Sequence, residues 1–153
     1  MSETAAQLLP ITTHVLGSVA TGSYHDPHSV LGLHEYNDGY TLRALKPFAD
    51  RVVGLIRGAD GSTTEVELEH EYDGVFSAAF TAPTVGIDSY RLQVTWPGGG
   101  TEIMNDPYRF LPTIGELDVH LIGEGRHEEL WHALGAHVRD MGGVEGTSFT
   151  VWA

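Results

Sequence analysis

Apolar and polar residues alternate in short runs between Tyr40 and Met104. Such alternation is typical of β-strands with one buried and one solvated face. Turn-forming residues separate the runs at spacings of about ten residues, which favours an antiparallel, immunoglobulin-like β-sandwich. We therefore predict a mainly β fold with strands at residues 40–45, 52–56, 65–69, 75–80, 90–96 and 101–104, with turns at 46–47, 58–61, 72–74, 82–84 and 97–100, and with 30–34 as a further strand or its lead-in.

The two flanks of this region have a different pattern. The apolar residues within 4–20 recur at helix-like spacings, interrupted by Pro10, which predicts short N-terminal helices. Near the C-terminus, Leu130, Trp131, Leu134 and Val138 share one stripe of a helix at 126–138, which we predict as a connector helix. We divide the chain into an N-terminal helical segment (1–24), the β-sandwich (25–105), a connector with its helix (106–146) and the first strand of a second domain (147–153).

Residues 147–153 alternate again and predict a strand, but no turn or partner strand follows them. Because such a strand would leave backbone donors and acceptors unpaired, we interpret it as the opening of a domain encoded further along a longer polypeptide. An internal repeat supports this interpretation. Leu31-Gly32-Leu33-His34 recurs as Leu134-Gly135-Ala136-His137, and each copy precedes a similar strand, with six more residues between motif and strand in the second copy.

Composition limits the kinds of partner. The 153 residues carry 8 basic and 21 acidic side chains, for a net charge of −13, which would repel the phosphates of nucleic acids and anionic membrane surfaces. A neutral polymer meets no such repulsion. The chain has no cysteine, no signal peptide and no apolar run long enough to span a bilayer, so we expect a cytoplasmic protein without disulfides.

Catalytic and metal-binding patterns are weak. His25-Asp26-Pro27-His28 favours a structural turn in which the Asp26 side chain caps backbone amides. The histidines at 127, 132 and 137 are five residues apart, which is poor spacing for one helix face. Glu116 and Asp118, and the glutamates at 65, 67 and 69, do not form the rigid pair that glycoside chemistry needs. We predict no catalytic residue, no metal site and no cofactor.

Aromatic residues offer a different kind of site. Aromatic rings combine a large apolar face with, in Tyr and Trp, a polar tip, which suits the faces and hydroxyls of sugar rings. Among those at 36, 40, 72, 90 and 96, we select Trp96, Tyr90 and Tyr36 as candidate sugar contacts, and Trp96 is the best exposed because it stands beside a turn. The alternative is that these rings belong to the sandwich core.

The motif from His25 to Gly32 resembles the N-terminal region of bacterial glycogen branching enzymes of the actinobacterial type. The stretches 106–125, 134–137 and 146–153 resemble the same region, so the similarity covers nearly the whole chain. The resemblance implies an N-terminal β-sandwich, then a second sandwich of the carbohydrate-binding type, a catalytic (β/α)₈ barrel and a C-terminal β domain. It also implies transfer of a cut α-1,4-glucan chain to a 6-hydroxyl, with an Asp nucleophile and a Glu acid/base in the barrel.

A (β/α)₈ barrel needs about 250 residues, so no catalytic residue of the family has a position here. The resemblance therefore implies an accessory domain of a truncated branching enzyme, inert alone, with α-glucan or glycogen and the missing downstream domains as partners. Two alternatives stay open: a stand-alone glucan-binding module, and a structural spacer or assembly domain that binds no sugar.

Overall fold

The computed structural model describes residues 5–82 and 86–152. The chain divides into two compact units, Met1–Arg109 (unit 1) and Phe110–Ala153 (unit 2). Unit 1 contains helix α1 (Thr13–Ala20), short 3₁₀ turns at Pro27–Ser29 and Pro107–Arg109, and the strands β1 (Gly32–Tyr36), β2 (Gly39–Leu45), β3 (Arg51–Gly58), β4 (Thr63–Tyr72), β5 (Val75–Phe80), β6 (Ile87–Thr95) and β7 (Thr101–Met104).

The seven strands form one curled antiparallel sheet in the order β1-β2-β5-β4-β3-β6-β7. Strand β4 joins the two halves of the sheet. Its residues 63–68 pair with β3, whereas Glu69, His70 and Tyr72 pair with β5, with a register irregularity between His70 and Tyr72. This arrangement confirms the predicted mainly β, sandwich-like fold, and the strand runs 75–80 and 101–104 have the predicted bounds. The predicted turn at 82–84 falls partly on residues 83–85, outside the described residues.

The main core follows from the alternation. Even-numbered residues of β2, β3 and β6 point between the two halves of the sheet. Burial of their apolar surface stabilises the fold by roughly 25 cal/mol per Å². Gly54 lies in the same space, where an added Cβ would be 2.6 Å from Cδ2 of Leu42, so a side chain there would force the Leu42 side chain to shift. The buried members of this cluster, the main core, are Leu42, Ala44, Val52, Ile56, Leu68, Phe76, Tyr90, Leu92 and Val94.

A second core lies under helix α1. Thr12 caps the helix by accepting a hydrogen bond from the Val15 amide at 3.4 Å, and Leu16 and Val19 are buried on its inner face. They pack with Val30, Leu31 and Val75. The predicted helical segment is therefore real only over Thr13–Ala20, and residues 5–12 are not helical. Pro10 disfavours a longer helix through this segment, because proline lacks the backbone donor and its ring clashes with the preceding turn.

Residues 5–11, the N-terminal segment, run along the outer face of β2. The Leu9 amide donates to Oγ1 of Thr41 at 2.8 Å, and the Leu9 carbonyl accepts from Nη2 of Arg43 at 2.6 Å. Arg43 also donates to Glu71 of β4 through Nε at 2.7 Å and Nη2 at 3.1 Å. The buried guanidinium thereby ties the N-terminal segment, β2 and β4 together.

Unit 2 contains helices α2 (Glu116–Gly123) and α3 (Leu130–Ala133), followed by strands β8 (Gly135–Asp140) and β9 (Glu145–Thr150), which pair as a two-stranded antiparallel sheet. The predicted connector helix at 126–138 is therefore wrong over most of its length. Gly135 adopts a φ of 98°, which a right-handed helix does not allow, and the following residues extend to pair with β9.

The terminal strand also differs from its prediction. It begins at Glu145 rather than 147, and β8 pairs with it along its whole length, so the expectation of a strand without a partner is wrong. Val151 and Trp152 follow the strand, and Ala153 lies outside the described residues. No helix in residues 5–82 and 86–152 is long and apolar enough to cross a bilayer.

The two copies of the internal repeat adopt the same local structure. Gly32 and Gly135 have φ values of 93° and 98°, and each opens the first strand of a hairpin. His34 Nε2 donates to the Leu31 carbonyl at 3.1 Å, and His137 Nε2 donates to the Leu134 carbonyl at 3.0 Å. The repeated sequence thus encodes a recurring entry into a β-hairpin.

The hairpin registers refine the predicted insertion. Gly32 pairs with Arg43, whereas Gly135 pairs with Thr150, so the second hairpin is four residues longer rather than six. Side chains alternate along a strand with a period of two. The insertion of four residues seen in the structure and the insertion of six residues predicted from the repeat differ by two. Both alignments therefore place corresponding side chains on the same face of the hairpin.

Candidate functional site

Trp96 stands at one end of the curled sheet, directly after β6. Its amide donates to the Gly100 carbonyl at 2.8 Å, and its carbonyl accepts from the Gly99 amide at 3.0 Å, which closes the turn into β7. The Trp96 ring is half-buried and packs against the main core. It keeps an accessible part beside the turn, so it is available as a contact residue.

Tyr90 is not accessible. Its side chain is 3% exposed within the main core, and its hydroxyl donates to Oδ2 of Asp106 at 2.7 Å. Burial raises the pKa of Tyr90, and the negative charge of Asp106 raises it further. Burial also raises the pKa of Asp106, although the hydrogen bond from Tyr90 opposes the effect. The pair fastens β6 to the segment that follows β7, and no ring face of Tyr90 is free for a sugar.

Tyr36 and Trp96 lie at opposite ends of the sheet. Tyr36 is half-buried at the end of β1, where it pairs with Gly39 at the start of β2. β2 then runs about 20 Å to Leu45, since a strand rises about 3.3 Å per residue. The short loop after Leu45 leads to Arg51, which pairs with Thr95, the neighbour of Trp96. The three predicted contacts therefore do not form one platform.

Strand β4 presents an acidic stripe. Glu65, Glu67, Glu69 and Glu71 alternate along it and face the side opposite the main core. The first three are exposed, as predicted. Arg51 forms a two-pronged hydrogen bond to Glu67 at 2.8 and 3.0 Å, which holds the pKa of Glu67 below its usual value. The exposed part of the stripe is therefore a row of solvated carboxylates, of which Glu67 is paired with Arg51.

Glu71 differs because it is largely buried. Burial raises its pKa, but hydrogen bonds from Arg43 and Ser77 and the charge of Arg43 outweigh that effect, so the pKa is lowered overall. An open cleft of about 470 Å³ lies beside it, lined by residues of β4 and β5 and by Leu8. The carboxylate is already committed to the guanidinium, which makes its role structural.

Two of the histidine-containing segments are held by local hydrogen bonds. At Pro27–Ser29 the Asp26 backbone carbonyl accepts from the Ser29 amide at 3.2 Å and hydroxyl at 2.7 Å, so the predicted cap by the Asp26 side chain is wrong. In unit 2, His127 donates to Asp118 at 2.8 Å and accepts from the Glu129 amide at 3.3 Å. Both ring nitrogens are used, and no group of three or more metal-ligating side chains occurs within 5–82 and 86–152.

Phe48 is an exposed aromatic residue that the sequence reasoning missed. It lies in the loop between β2 and β3, its side chain is 87% exposed, and its φ is 69°. Lys46-Pro47 marks this loop as a turn, whereas the aromatic residues selected from the sequence all lie in predicted strands or directly beside them. The available signal was a bulky apolar residue directly after the proline of a turn.

The model for the N-terminal domain of the alpha-1,4-glucan branching enzyme GlgB matches residues 12–108. The chain belongs to this family. The matched residues run from the cap of α1 to the 3₁₀ turn after β7, so they include every strand of the curled sheet. The N-terminal segment and unit 2 lie outside the match.

Curated relatives extend the similarity over most of the chain. A 1,4-alpha-glucan branching enzyme of Rhodococcus jostii is 49% identical over 142 residues, covering 90% of this chain and 18% of the relative. The enzyme of Leifsonia xyli is 48% identical over 159 residues, covering 100% of this chain and 21% of the relative. This chain therefore spans about a fifth of the length of the curated relatives it matches.

Among solved structures, the catalytic module of the glycogen-degrading pneumococcal virulence factor SpuA matches with a TM-score of 0.44 and 21% identity, over 60% of this chain and 14% of that chain. A likeness of this size is too small to assign a function. The family membership rests on the sequence matches of the GlgB N-terminal domain.

Proposed function

We propose that this chain acts as the N-terminal accessory domain of a 1,4-α-glucan branching enzyme in glycogen synthesis. The parent activity would transfer a cut α-1,4-glucan chain to a 6-hydroxyl, and the catalytic step would belong to the rest of the polypeptide. The observation that carries the proposal is the identity of 44–51% to enzymes of that name over 86–100% of the chain. Its cytoplasmic location remains a prediction.

The domain's contribution would be to hold the glucan while the chemistry occurs elsewhere. A second weak contact on one long polymer raises the effective concentration of that polymer at the first site. Trp96, with its accessible ring at the end of β6, is the main proposed contact, and Tyr36 is a separate one at the other end of the sheet. Buried Tyr90 contributes only by fixing β6.

Unit 2 would form the beginning of a second domain. The β8–β9 hairpin would open a second β-sandwich of the carbohydrate-binding type, after a connector from residue 106. Phe149 and Val151 of the second hairpin correspond in register to Leu42 and Ala44 of the first. The first pair is buried in the main core, whereas Phe149, Val151 and the neighbouring Val138 are exposed. The second hairpin therefore has apolar residues at the positions that are buried in the first, and these residues are exposed.

A chimera tests the accessory role. The matching region of the Rhodococcus jostii enzyme would be replaced by this chain in one version and deleted in another, and the chain-length distribution of the branched product would be measured. We expect the replacement to keep the distribution of the unchanged enzyme and the deletion to shift it. An unchanged distribution after deletion would contradict the proposal. If deletion shifts the chain-length distribution but a chimera with Trp96→Ala keeps the distribution of the unchanged enzyme, the domain would act as a structural spacer.

Hydrogen exchange tests the second sandwich. We would compare amide exchange in residues 145–151 of this chain alone and of this chain joined to the region that follows the match in the Rhodococcus jostii enzyme. Covering strands would slow exchange there, while β2 in the same molecule serves as the internal control. Equal exchange rates in both versions would rule out the proposed covering sheet. The relatives' fivefold greater length does not favour a stand-alone glucan-binding module.

A further inference from the structure

We propose that Phe48 and Trp96 together form a two-ring contact site for an α-1,4-glucan chain, in which Phe48 supplies the exposed ring. This inference rests on the proposed function and adds to it a residue and a place. Phe48 is 87% exposed, and no other aromatic residue within 5–82 and 86–109 is as open to solvent.

The backbone at Phe48 is strained. Its φ of 69° lies in the left-handed region, which bulky residues rarely adopt because the Cβ approaches the neighbouring carbonyl. Glycine or asparagine would relieve the strain. Residues with a strained backbone occur mostly at functional sites. Because the Phe48 ring is exposed, packing in the core does not account for its presence here.

The loop that carries Phe48 is held firmly on both sides. The Lys46 amide donates to the Gly74 carbonyl at 2.8 Å, and the Ala49 amide donates to the Lys46 carbonyl at 3.2 Å. Pro47 lies so close to Gly74 that an added Cβ would be 2.9 Å from its Cα. A ring presented by a fixed loop loses little conformational entropy when a ligand stacks on it, which favours binding.

Trp96 lies at the same end of the sheet. Ala49, next to Phe48, packs against the same core cluster as Trp96. The Asp50 amide donates to the carbonyl of Thr95, the neighbour of Trp96, at 2.8 Å. Phe48 therefore lies two residues from Asp50, which is hydrogen-bonded to the residue before Trp96. This proximity along the backbone is the basis for assigning both rings to one glucan chain.

The surroundings favour a sugar over a protein partner. A protein interface needs a contiguous apolar core of several side chains. Within 5–82 and 86–109, the other exposed large hydrophobic residues are Leu8, which lines the cleft beside β4 and β5, and Ile103 on the edge strand β7. With Phe48 they make three exposed large hydrophobic residues in this part of the chain, which is few for the apolar core of a protein interface. A neutral glucan needs only the ring faces, and the net charge of −13 does not repel it.

The test is titration calorimetry of the whole chain with maltoheptaose, using Phe48→Gly, Phe48→Asn and Trp96→Ala, with Ile103→Ala as the matched control for loss of an exposed apolar side chain. We expect binding to weaken about tenfold in all three site variants, the size of one aromatic contact, and to be unchanged in the control. Melting of the glycine variant should be no earlier than that of the unchanged chain, because its backbone strain is relieved.

Three results would overturn the inference. If Phe48→Gly and Phe48→Asn bind as tightly as the unchanged chain while Trp96→Ala does not, Phe48 is not a contact, but the proposed glucan contact at Trp96 survives. If Ile103→Ala weakens binding equally, the effect is not specific to the two rings. If the unchanged chain does not bind maltoheptaose at about 10 mM, both the two-ring site and glucan holding fail. The chimera experiment judges the accessory role separately.

Discussion

Removing the Arg43 guanidinium should destabilise unit 1 more than most single substitutions. The side chain is 1% exposed and makes two hydrogen bonds to Glu71 and one to the Leu9 carbonyl. Arg43→Ala would leave the Glu71 carboxylate, whose side chain is 20% exposed, without its partner. Breaking a buried ion pair on one side costs about 3–5 kcal/mol. We take the lower end, about 3 kcal/mol, because Glu71 keeps some access to water.

The net contribution of the Arg43–Glu71 pair to the free energy of unfolding should be much smaller than the cost of removing Arg43 alone. Burying two charges requires their desolvation, and replacement of both by apolar residues of similar volume is often neutral. Nη1 of Arg43 is buried and has no hydrogen-bond partner, which adds an unpaired donor to the native state. We therefore expect Arg43→Met combined with Glu71→Leu to lie within about 1 kcal/mol of the unchanged chain.

Urea unfolding followed by circular dichroism measures these differences, since a change in midpoint at constant slope reports stability. A loss of about 3 kcal/mol corresponds to roughly 12–24 °C in melting temperature for a domain of this size. The reasoning would be refuted if Arg43→Ala cost less than about 1 kcal/mol, or if the double variant were as unstable as the single one.

The same pair predicts a dependence on pH. The pKa of Glu71 is lowered in the folded protein, so its contribution to stability is present above the pKa of the unfolded chain. That contribution is lost as the pH falls from the ordinary glutamate value, about 4.3, through the lower folded value. The double variant should lack this part of the loss of stability in acid. If the free energy of unfolding falls in the same way below about pH 5 for the double variant and the unchanged chain, Glu71 is not the group responsible.

Three further substitutions test the packing of unit 1. Gly54→Ala places a Cβ 2.6 Å from Cδ2 of Leu42 and should cost about 1–3 kcal/mol in urea unfolding. A loss below about 0.5 kcal/mol would show that the Leu42 side chain can shift away at little cost. Tyr90→Phe leaves Asp106 without its hydroxyl donor and should cost about 1–3 kcal/mol, and an unchanged midpoint would contradict the role of this buried bond. Gly32→Ala forces a Cβ into a left-handed φ of 93° and within 2.8 Å of a backbone carbonyl, so it should lower the melting temperature clearly, while an equal melting temperature would exclude that strain.

Much of the curled sheet could be predicted because its signal is local. The alternation in 40–45, 75–80 and 101–104 follows directly from one buried and one solvated face, and the observed strands there agree within a residue. The pairing of β4 with two different strands, β3 along its first part and β5 along its last part, could not be predicted. It depends on pairings with β3 and β5 that local alternation does not encode.

The region 126–138 failed for a related reason. Leu130, Leu134 and Val138 fit a helical stripe, but the same residues also fit a short helix followed by a strand. The choice between these was made by Gly135 and by the partner strand β9, and a helical stripe contains no information about such a partner. Short apolar runs are ambiguous in this way until long-range pairing is known.

The candidate site shows the same limit. Trp96 could be placed beside a turn because Pro97 and the glycines follow it in sequence. The burial of Tyr90 depends on Asp106, sixteen residues away, and on the strands packed against it, so it could not be read from the strand pattern. Phe48 was missed because an exposed aromatic residue in a loop breaks the expectation that large apolar side chains lie on strands.

The ten-residue strand β4 has a consequence for how unit 1 comes apart. Since its first part completes one half of the sheet and its last part completes the other, neither half can open without exposing an edge of its neighbour. Melting should therefore be all-or-none for both halves, with amide protons of β2 and β6 released in a single event. A protease cut or a new chain terminus placed inside β4 would break that cooperativity in a way that a cut in any hairpin turn would not.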